Sequence, residues 1–426
     1  MTTTNNRSAQ PRIMMYSQDG FGLGHMRRTS SIASQITQRR ADVALLTLAD
    51  SRLGHFFETG QNHDYLKLPS ILKAGPGDWR AVNLPLPFAD VRALRQDLIR
   101  SAVQSYQPHL LLVDHMPHGA MGELIPTLEA LKESNADTKV VLGLRDILDA
   151  PEVVRRRWQV EGAYEAIENY YDMVLVYGRR DVFDLAQQYG FSPTISERLR
   201  YCGYVCTPNV ARYTARARAK YLAGAAPNTR LIVAMAGGGA DGYPMMRMLL
   251  DALPAIQAEQ PCILVLITGP FMPPELRRDL EARARGRPAR VSMSVSDTLS
   301  YIDAADLVVA MAGYNTTMEI LRSGRRAILI PRAGPSAEQR MRTQRFAARG
   351  WVEMIDPDDL HADTVARSVL KTLRSGVPSV EQDRPDLGGL ACATDELLAL
   401  LPPAPEELLM PLPLESCQPA LVPAMA

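Results

Sequence analysis

What most constrains this chain is a rhythm that starts twice. Short, continuous apolar runs each end in a polar or glycine-rich turn, and an amphipathic stretch follows. In the first half the runs fall at residues 13–16, 43–48, 110–114, 140–144 and 173–177, with helical patterns at 29–39, 91–105 and 121–133. A strand that is apolar on both faces must be covered on both faces. Such strands alternating with helices predict a parallel sheet between two helical layers. The rhythm resumes at 230–236, 262–268, 290–293, 307–311, 327–331 and 351–355. Two doubly wound α/β domains follow, with ligands expected at the carboxyl ends of the strands.

A length of 426 residues suits two domains. We place the first at 1–205 and the second at 206–375, with the linker within 206–226. Residues 376–426 are expected to hold one helix, near 391–401, in a proline-rich and largely disordered tail. Lys plus Arg and Asp plus Glu number 47 each. Without a basic excess, no nucleic-acid partner is expected. The five cysteines form no CxxC pair and no zinc pattern, and read as reduced packing residues, with Cys202 and Cys206 spaced to share a helix face. The polar amino terminus does not resemble a signal peptide, and no apolar run reaches the ~20 residues that span a bilayer. A cytoplasmic address is expected.

Four loops carry residues suited to chemistry. The first, Gly20-Phe21-Gly22-Leu23-Gly24-His25, follows the first strand. Its glycines let backbone approach a ligand, but the spacing departs from the GxGxxG dinucleotide fingerprint, which argues against a dehydrogenase. His25, where the loop becomes a helix, is placed to act as a general base. The second loop, Gly237-Gly238-Gly239, joins a strand to a helix and can offer amides to an anion. It is not a P-loop, because no Lys-Ser/Thr follows.

The third, Gly313-Tyr314-Asn315-Thr316, opens another helix and presents amides and hydroxyls suited to a diphosphate. Glu319, about one turn further, could accept hydrogen bonds from the vicinal hydroxyls of a ribose, although the helix dipole alone would also favour a glutamate there. The fourth loop ends in Glu338-Gln339, a pair able to meet sugar hydroxyls. As a bare dipeptide it says nothing; its weight comes from lying one strand beyond the third loop.

In this order the motifs resemble the MurG-like branch of the family 28 glycosyltransferases, which includes the N-acetylglucosaminyltransferase of peptidoglycan synthesis. The likeness rests on Ala312-Gly313-Tyr314-Asn315-Thr316 with Glu319, on Ile330-Pro331, on Glu338-Gln339 with Gln344, and on Gly22-Leu23-Gly24-His25. It implies a GT-B fold, two Rossmann-like domains facing across a cleft, with a nucleotide-sugar donor in the second and an acceptor mainly in the first. The donor implied is a UDP-sugar, with N-acetylglucosamine the candidate sugar, and the transfer implied is inverting.

Carried over by position, Gly237, Gly238, Gly239 and Gly313 to Thr316 would hold the diphosphate and Glu319 the ribose. Glu338 and Gln339 would meet the sugar, and the backbone near Val295 the base. Gly22, Gly24 and Arg27 would form the acceptor-side loop, with His25 catalytic. No DxD pair stands in either ligand loop, so neither a metal nor a further cofactor is expected. Two departures bear on the donor: Ala312 stands where Gly or Ser is usual, and no arginine follows Gly203-Tyr204-Val205.

The acceptor is left open as a carbohydrate, a lipid or a small molecule. Peripheral membrane contact through residues 84–88 or Arg155-Arg156-Arg157 would suit a lipid, although a solvated helix face is the simpler reading of the arginines. Two alternatives stand beside transfer: a nucleotide-sugar epimerase or hydrolase of the same fold, and a nucleotide-sugar-binding protein without catalysis.

Overall fold

The computed structural model describes residues 10–18, 24–51, 60–75, 78–134, 136–207, 210–375 and 385–403. Fifteen strands are present among them. In chain order they are β1 (Arg12–Ser17), β2 (Ala44–Ala49), β3 (His63–Lys67), β4 (Ile71–Gly75), β5 (Asp78–Ala81), β6 (Leu110–Asp114), β7 (Lys139–Arg145), β8 (Met173–Tyr177) and β9 (Leu199–Tyr201) in the first half. The second half supplies β10 (Arg230–Met235), β11 (Cys262–Ile267), β12 (Ala289–Ser292), β13 (Leu307–Ala310), β14 (Ala327–Leu329) and β15 (Glu353–Met354).

Two sheets result, ordered β3-β2-β1-β6-β7-β8-β9 and β12-β11-β10-β13-β14-β15, and every pairing in them is parallel. β4 and β5 form a small antiparallel pair apart from both. In each large sheet the strand order reverses once, between β1 and β6 and between β10 and β13. A crevice opens at such a reversal because the two flanking loops leave toward opposite faces.

Alternation along the strands sorts side chains into layers. Met14 and Tyr16 face a core whose buried side chains come from the first domain, with Met341 of the second packed against it, and Ile232 and Ala234 face a core of the second. Ile13 and Met15 join Leu231 and Val233 in one apolar cluster that runs through both domains. The helix Gly389–Ala399 contributes Leu390, Ala393 and Leu397 to that shared layer. It returns to the first domain: Tyr204 N–H donates to the Asp386 carbonyl, and an added Cβ on Gly389 would lie 2.5 Å from the Gly203 carbonyl oxygen.

Several expectations need correction. β3, β4, β5 and β9 have no counterpart in the sequence reading, because His63–Lys67 is only partly buried and lacks a continuous apolar run. The helix foreseen at 121–133 begins at Ile125, after a short 3-10 turn. The linker contains a helix, Thr214–Leu222, fastened to the second domain where Arg218 meets Asp306. Cys202 and Cys206 share no helix face; they flank a buried, extended crossover. Cys202, Cys206, Cys262 and Cys392 are free thiols. Cys417 and most of the proline-rich tail lie outside the described residues.

Candidate active site

The two strand-order reversals face each other across one cleft of about 810 Å³. Its second-domain wall includes the loops after β10 and β13, joined by those after β11, β12 and β14. Gly239 has φ +96°, and a Cβ there would run into the Thr268 carbonyl, so the turn admits only glycine. The helix Tyr314–Ser323 begins at the cleft, with Gly313 as its extended N-cap. Its first intrahelical bond runs from Thr317 N–H to the Gly313 carbonyl. The amides of Tyr314, Asn315 and Thr316 therefore have no helical acceptor and carry the positive end of the helix.

The first-domain wall is the start of the helix Gly24–Arg39. Asn315 Nδ2 donates to the Gly24 carbonyl at 3.1 Å, so the two helix starts meet directly. His25 lies one residue in. Its Nδ1 is 2.5 Å from Asp114 Oδ2 at the end of β6, the strand beside β1. Arg28 donates Nη2 to both Asp114 oxygens, at 2.8 and 2.7 Å, and Nε to Oδ1 at 3.1 Å. Burial alone would raise Asp114, but the charges of Arg28 and His25 outweigh it and hold the carboxyl below its ordinary value.

Arg28 Nη2 also comes within 3.0 Å of His25 Nδ1. A single nitrogen cannot accept there while donating to Asp114. The shorter carboxylate contact makes Nδ1 the donor, which assigns any proton uptake to Nε2. The His25 ring stacks on His115 at 4.8 Å.

A second cavity, of about 590 Å³, opens on the first-domain side. Among its walls are Trp79, His115, His118, Met121 and Trp158. His25 and Arg332 belong to the walls of both cavities, so His25 stands where the two spaces join.

Most of the predicted residues are brought together. Gly24, His25, Arg27, Gly237, Gly238, Gly239, Val295, Gly313, Tyr314, Asn315, Thr316, Glu338 and Gln339 all line the larger cleft. Gly22 lies outside the described residues.

Three placements differ from expectation. Glu319 is not on the cleft wall. It is 2% exposed, and its Oε1 pairs with Arg27 Nη1 at 3.1 Å across the domain boundary. Its Oε2 has no hydrogen-bond partner among the described residues, and burial raises its pKa. The reason is helical phase: five residues past Tyr314, the side chain faces the first domain.

Glu338 is buried as well, and both its oxygens are spoken for, by Arg342 Nη2 at 2.8 Å and Arg145 Nη1 at 2.9 Å. Burial would raise its carboxyl, but Arg145 and Arg342 hold it down to about 2. Arg342 in turn grips Asp146, with Nε to Oδ2 at 2.8 Å and Nη2 to Oδ1 at 2.6 Å. Glu338 thus secures the domain interface. Gln339 accepts at Oε1 from the Arg332 N–H at 3.1 Å and keeps its place on the wall.

The Tyr314 ring lies near two guanidiniums, Arg28 at 5.7 Å and Arg342 at 5.4 Å. Its hydroxyl donates to the Tyr177 carbonyl at 2.9 Å and accepts from Val205 N–H at 2.8 Å. Its contribution to the cleft is therefore made by backbone. Asp114, Arg28, Asp146, Arg145 and Arg342 escaped the sequence reading as site residues, since each depends on a partner more than 85 positions away.

Comparison with known proteins agrees with this geometry. Residues 232–383 match the Glycosyltransferase family 28 C-terminal domain. The match lies in the second of the two domains. Over 139 residues, 32% of the chain, it is 29% identical to the UDP-N-acetylglucosamine–N-acetylmuramyl-(pentapeptide) pyrophosphoryl-undecaprenol N-acetylglucosamine transferase of Acidothermus cellulolyticus, and it spans about 37% of the length of that curated relative.

Among solved structures, MurG of Acinetobacter baumannii superposes with TM-score 0.57 and 14% identity, covering 91% of this chain and 99% of that one. The UDP-GlcNAc 2-epimerase of Neisseria meningitidis, bound to UDP-GlcNAc, gives TM-score 0.59 at 8% identity, with coverage of 91% and 100%. At these identities the structures speak for the fold alone, and this chain has the GT-B fold. No helix among its described residues is long and apolar enough to cross a membrane.

Proposed function

We propose that this protein transfers a sugar, with N-acetylglucosamine the first candidate, from a UDP-sugar to an acceptor hydroxyl with inversion at the anomeric carbon. The observation that carries the reading is the position of His25, backed by Asp114, on the wall common to two cavities. A binding protein needs one such space, and an epimerase acting on its donor alone needs no second one.

In this reading the diphosphate lies against the Tyr314 helix start and the Gly237–Gly239 turn, as amides at a helix end favour an anion. The base lies by the Val295 backbone, and Gln339 meets the sugar. Glu319 would hold the ribose only by giving up Arg27 for the two hydroxyls, and its unpartnered Oε2 supplies a reason to make that exchange. The acceptor oxygen bonds to the anomeric carbon and its proton passes to His25 Nε2. The bond from that carbon to the diphosphate breaks, and UDP leaves with the electron pair. Two helix ends and Arg332 meet the departing charge, the preorganised electrostatics that catalysis at such centres relies on.

We further propose that transfer needs no divalent ion and takes place in the cytoplasm, at the inner membrane face if the acceptor is lipid-linked. The test is a thermal-shift panel of nucleotides and nucleotide-sugars with EDTA present. A ligand of the native state at 100 times its Kd adds about 2.7 kcal/mol of stability. UDP and one UDP-sugar should shift the midpoint most. A panel in which no uridine nucleotide does so would end the reading. Turnover of the bound donor at full rate without any second substrate, and no faster with one, would favour an epimerase or hydrolase.

A further inference from the structure

The smaller cavity has polar side chains among its walls. Gln18, His115 and His118 belong to those walls, and each also has a buried nitrogen, Nε2 of Gln18 and Nδ1 of the two histidines, that makes no hydrogen bond among the described residues. These three side chains, set among aromatic ones beside His25, are the polar groups that a ligand in this space would meet.

The other walls describe that guest. Trp79, Met116, Pro117, Met121 and Ile125 give apolar and aromatic surface. Trp158 adds a ring that is itself fixed by stacking on Phe191 at 5.8 Å. Burial lowers the pKa of both His115 and His118, so they offer neutral hydrogen bonds. A saccharide carries hydroxyls around its whole rim and calls for carboxylates and amides on several sides. Here Glu161 is the one carboxylate among the described walls; it is 38% exposed and 3.8 Å from His118. Arg157 and Arg332 add cations, which favour the electron-rich face of an aromatic ring. A volume of about 590 Å³ suits a compact ligand.

We propose that this cavity binds a hydroxylated aromatic acceptor, a phenol of one or two rings, with its reacting hydroxyl at His25 and its remaining oxygens on Gln18, His115 and His118. This names the acceptor class for the glycosyl-transfer reading and rests on it. The phenol oxygen bonds to the anomeric carbon as the bond from that carbon to UDP breaks. The phenolic proton goes to His25, and UDP takes the bonding pair. A phenol near pKa 10 gives up that proton far more readily than an alkyl alcohol does.

The test uses the full chain, the UDP-sugar that binds best, and three probes: 2-naphthol, a methyl glucoside and a polyprenyl-diphosphate-linked sugar. 2-Naphthol should bind saturably by calorimetry and raise UDP release at least tenfold over the rate with water, with the aryl glycoside as product. Met121→Trp, which fills the cavity, should weaken naphthol binding at least tenfold. Met121→Gln, similar in size but polar, should weaken it less, and the unfolding midpoint of each variant separates a blocked cavity from a lost fold. Stimulation by the glucoside or the lipid-linked sugar without stimulation by naphthol overturns the proposal and leaves glycosyl transfer standing. Donor binding with no response to any probe also overturns it. Absence of UDP-sugar binding overturns the transfer reading beneath it.

Discussion

Arg342 of the second domain holds Asp146 of the first by two parallel hydrogen bonds, at 2.8 and 2.6 Å, and neither side chain reaches solvent to any useful extent. The same guanidinium reaches Glu338 and the Ala312 carbonyl, which stands immediately before the Gly313 turn. One cation therefore fixes the angle between the domains and the backbone that would face a diphosphate.

Arg342→Met should destabilise the protein by about 3–5 kcal/mol, since it leaves Asp146 an uncompensated buried charge and takes from Glu338 one of its two arginines. Urea unfolding monitored by circular dichroism measures this. A loss below 1 kcal/mol would show that water already screens the cluster.

Acid should weaken the interface through Glu338. Its folded pKa of about 2 lies below its ordinary value of 4.5, so its contribution is complete above 4.5 and is lost as the pH falls toward 2. Unfolding free energy should therefore rise with pH through that window and level off above it. In Glu338→Gln the slope should be shallower, and an unchanged slope would assign it to other carboxylates.

His25→Ala should lower the transfer rate by about 10²–10⁴-fold, the usual contribution of a positioned base. Asp114→Asn should also lower it, and the double variant should fall little further than the worse single one, because groups acting as a unit are not additive. Steady-state kinetics with saturating donor decides it. Multiplying losses would mean that Asp114 acts apart from His25.

Gly239→Ala should lower the melting temperature and weaken nucleotide binding together. Its φ of +96° disfavours any side chain, and the added Cβ collides with the Thr268 carbonyl. The strain expected is about 1–3 kcal/mol. A stable variant with intact UDP binding would show that the loop reshapes freely.

The fold was legible because its strands are buried on both faces. β1, β6, β7, β8, β10, β11 and β13 are continuous apolar runs, and a continuous run has little to do except sit inside a parallel sheet. β3 and β9 escaped because edge strands keep one face wet, which breaks the run that betrays the others. The glycine loops and His25 could be read for a similar reason: backbone geometry at a strand-to-helix turn demands a particular residue at a particular place.

Side-chain direction could not be read in the same way. Glu319 was assigned from its place about one turn into a helix and Glu338 from its place one strand further on, yet each faces an arginine from distant sequence, Arg27 and Arg145. Asp114 was visible as a strand end but not as the partner of His25. That pairing exists only because β1 and β6 lie side by side, a fact of topology with no local signature.

The helix Gly389–Ala399 has a consequence for how the molecule is made. During synthesis the amino-terminal half emerges first, but part of its apolar covering lies in Leu390, Ala393 and Leu397. That half must wait, one flank uncovered, until the ribosome has delivered nearly two hundred more residues. A gene fragment cut between the two sheets would leave it permanently in that state, prone to aggregate, although no strand had been lost.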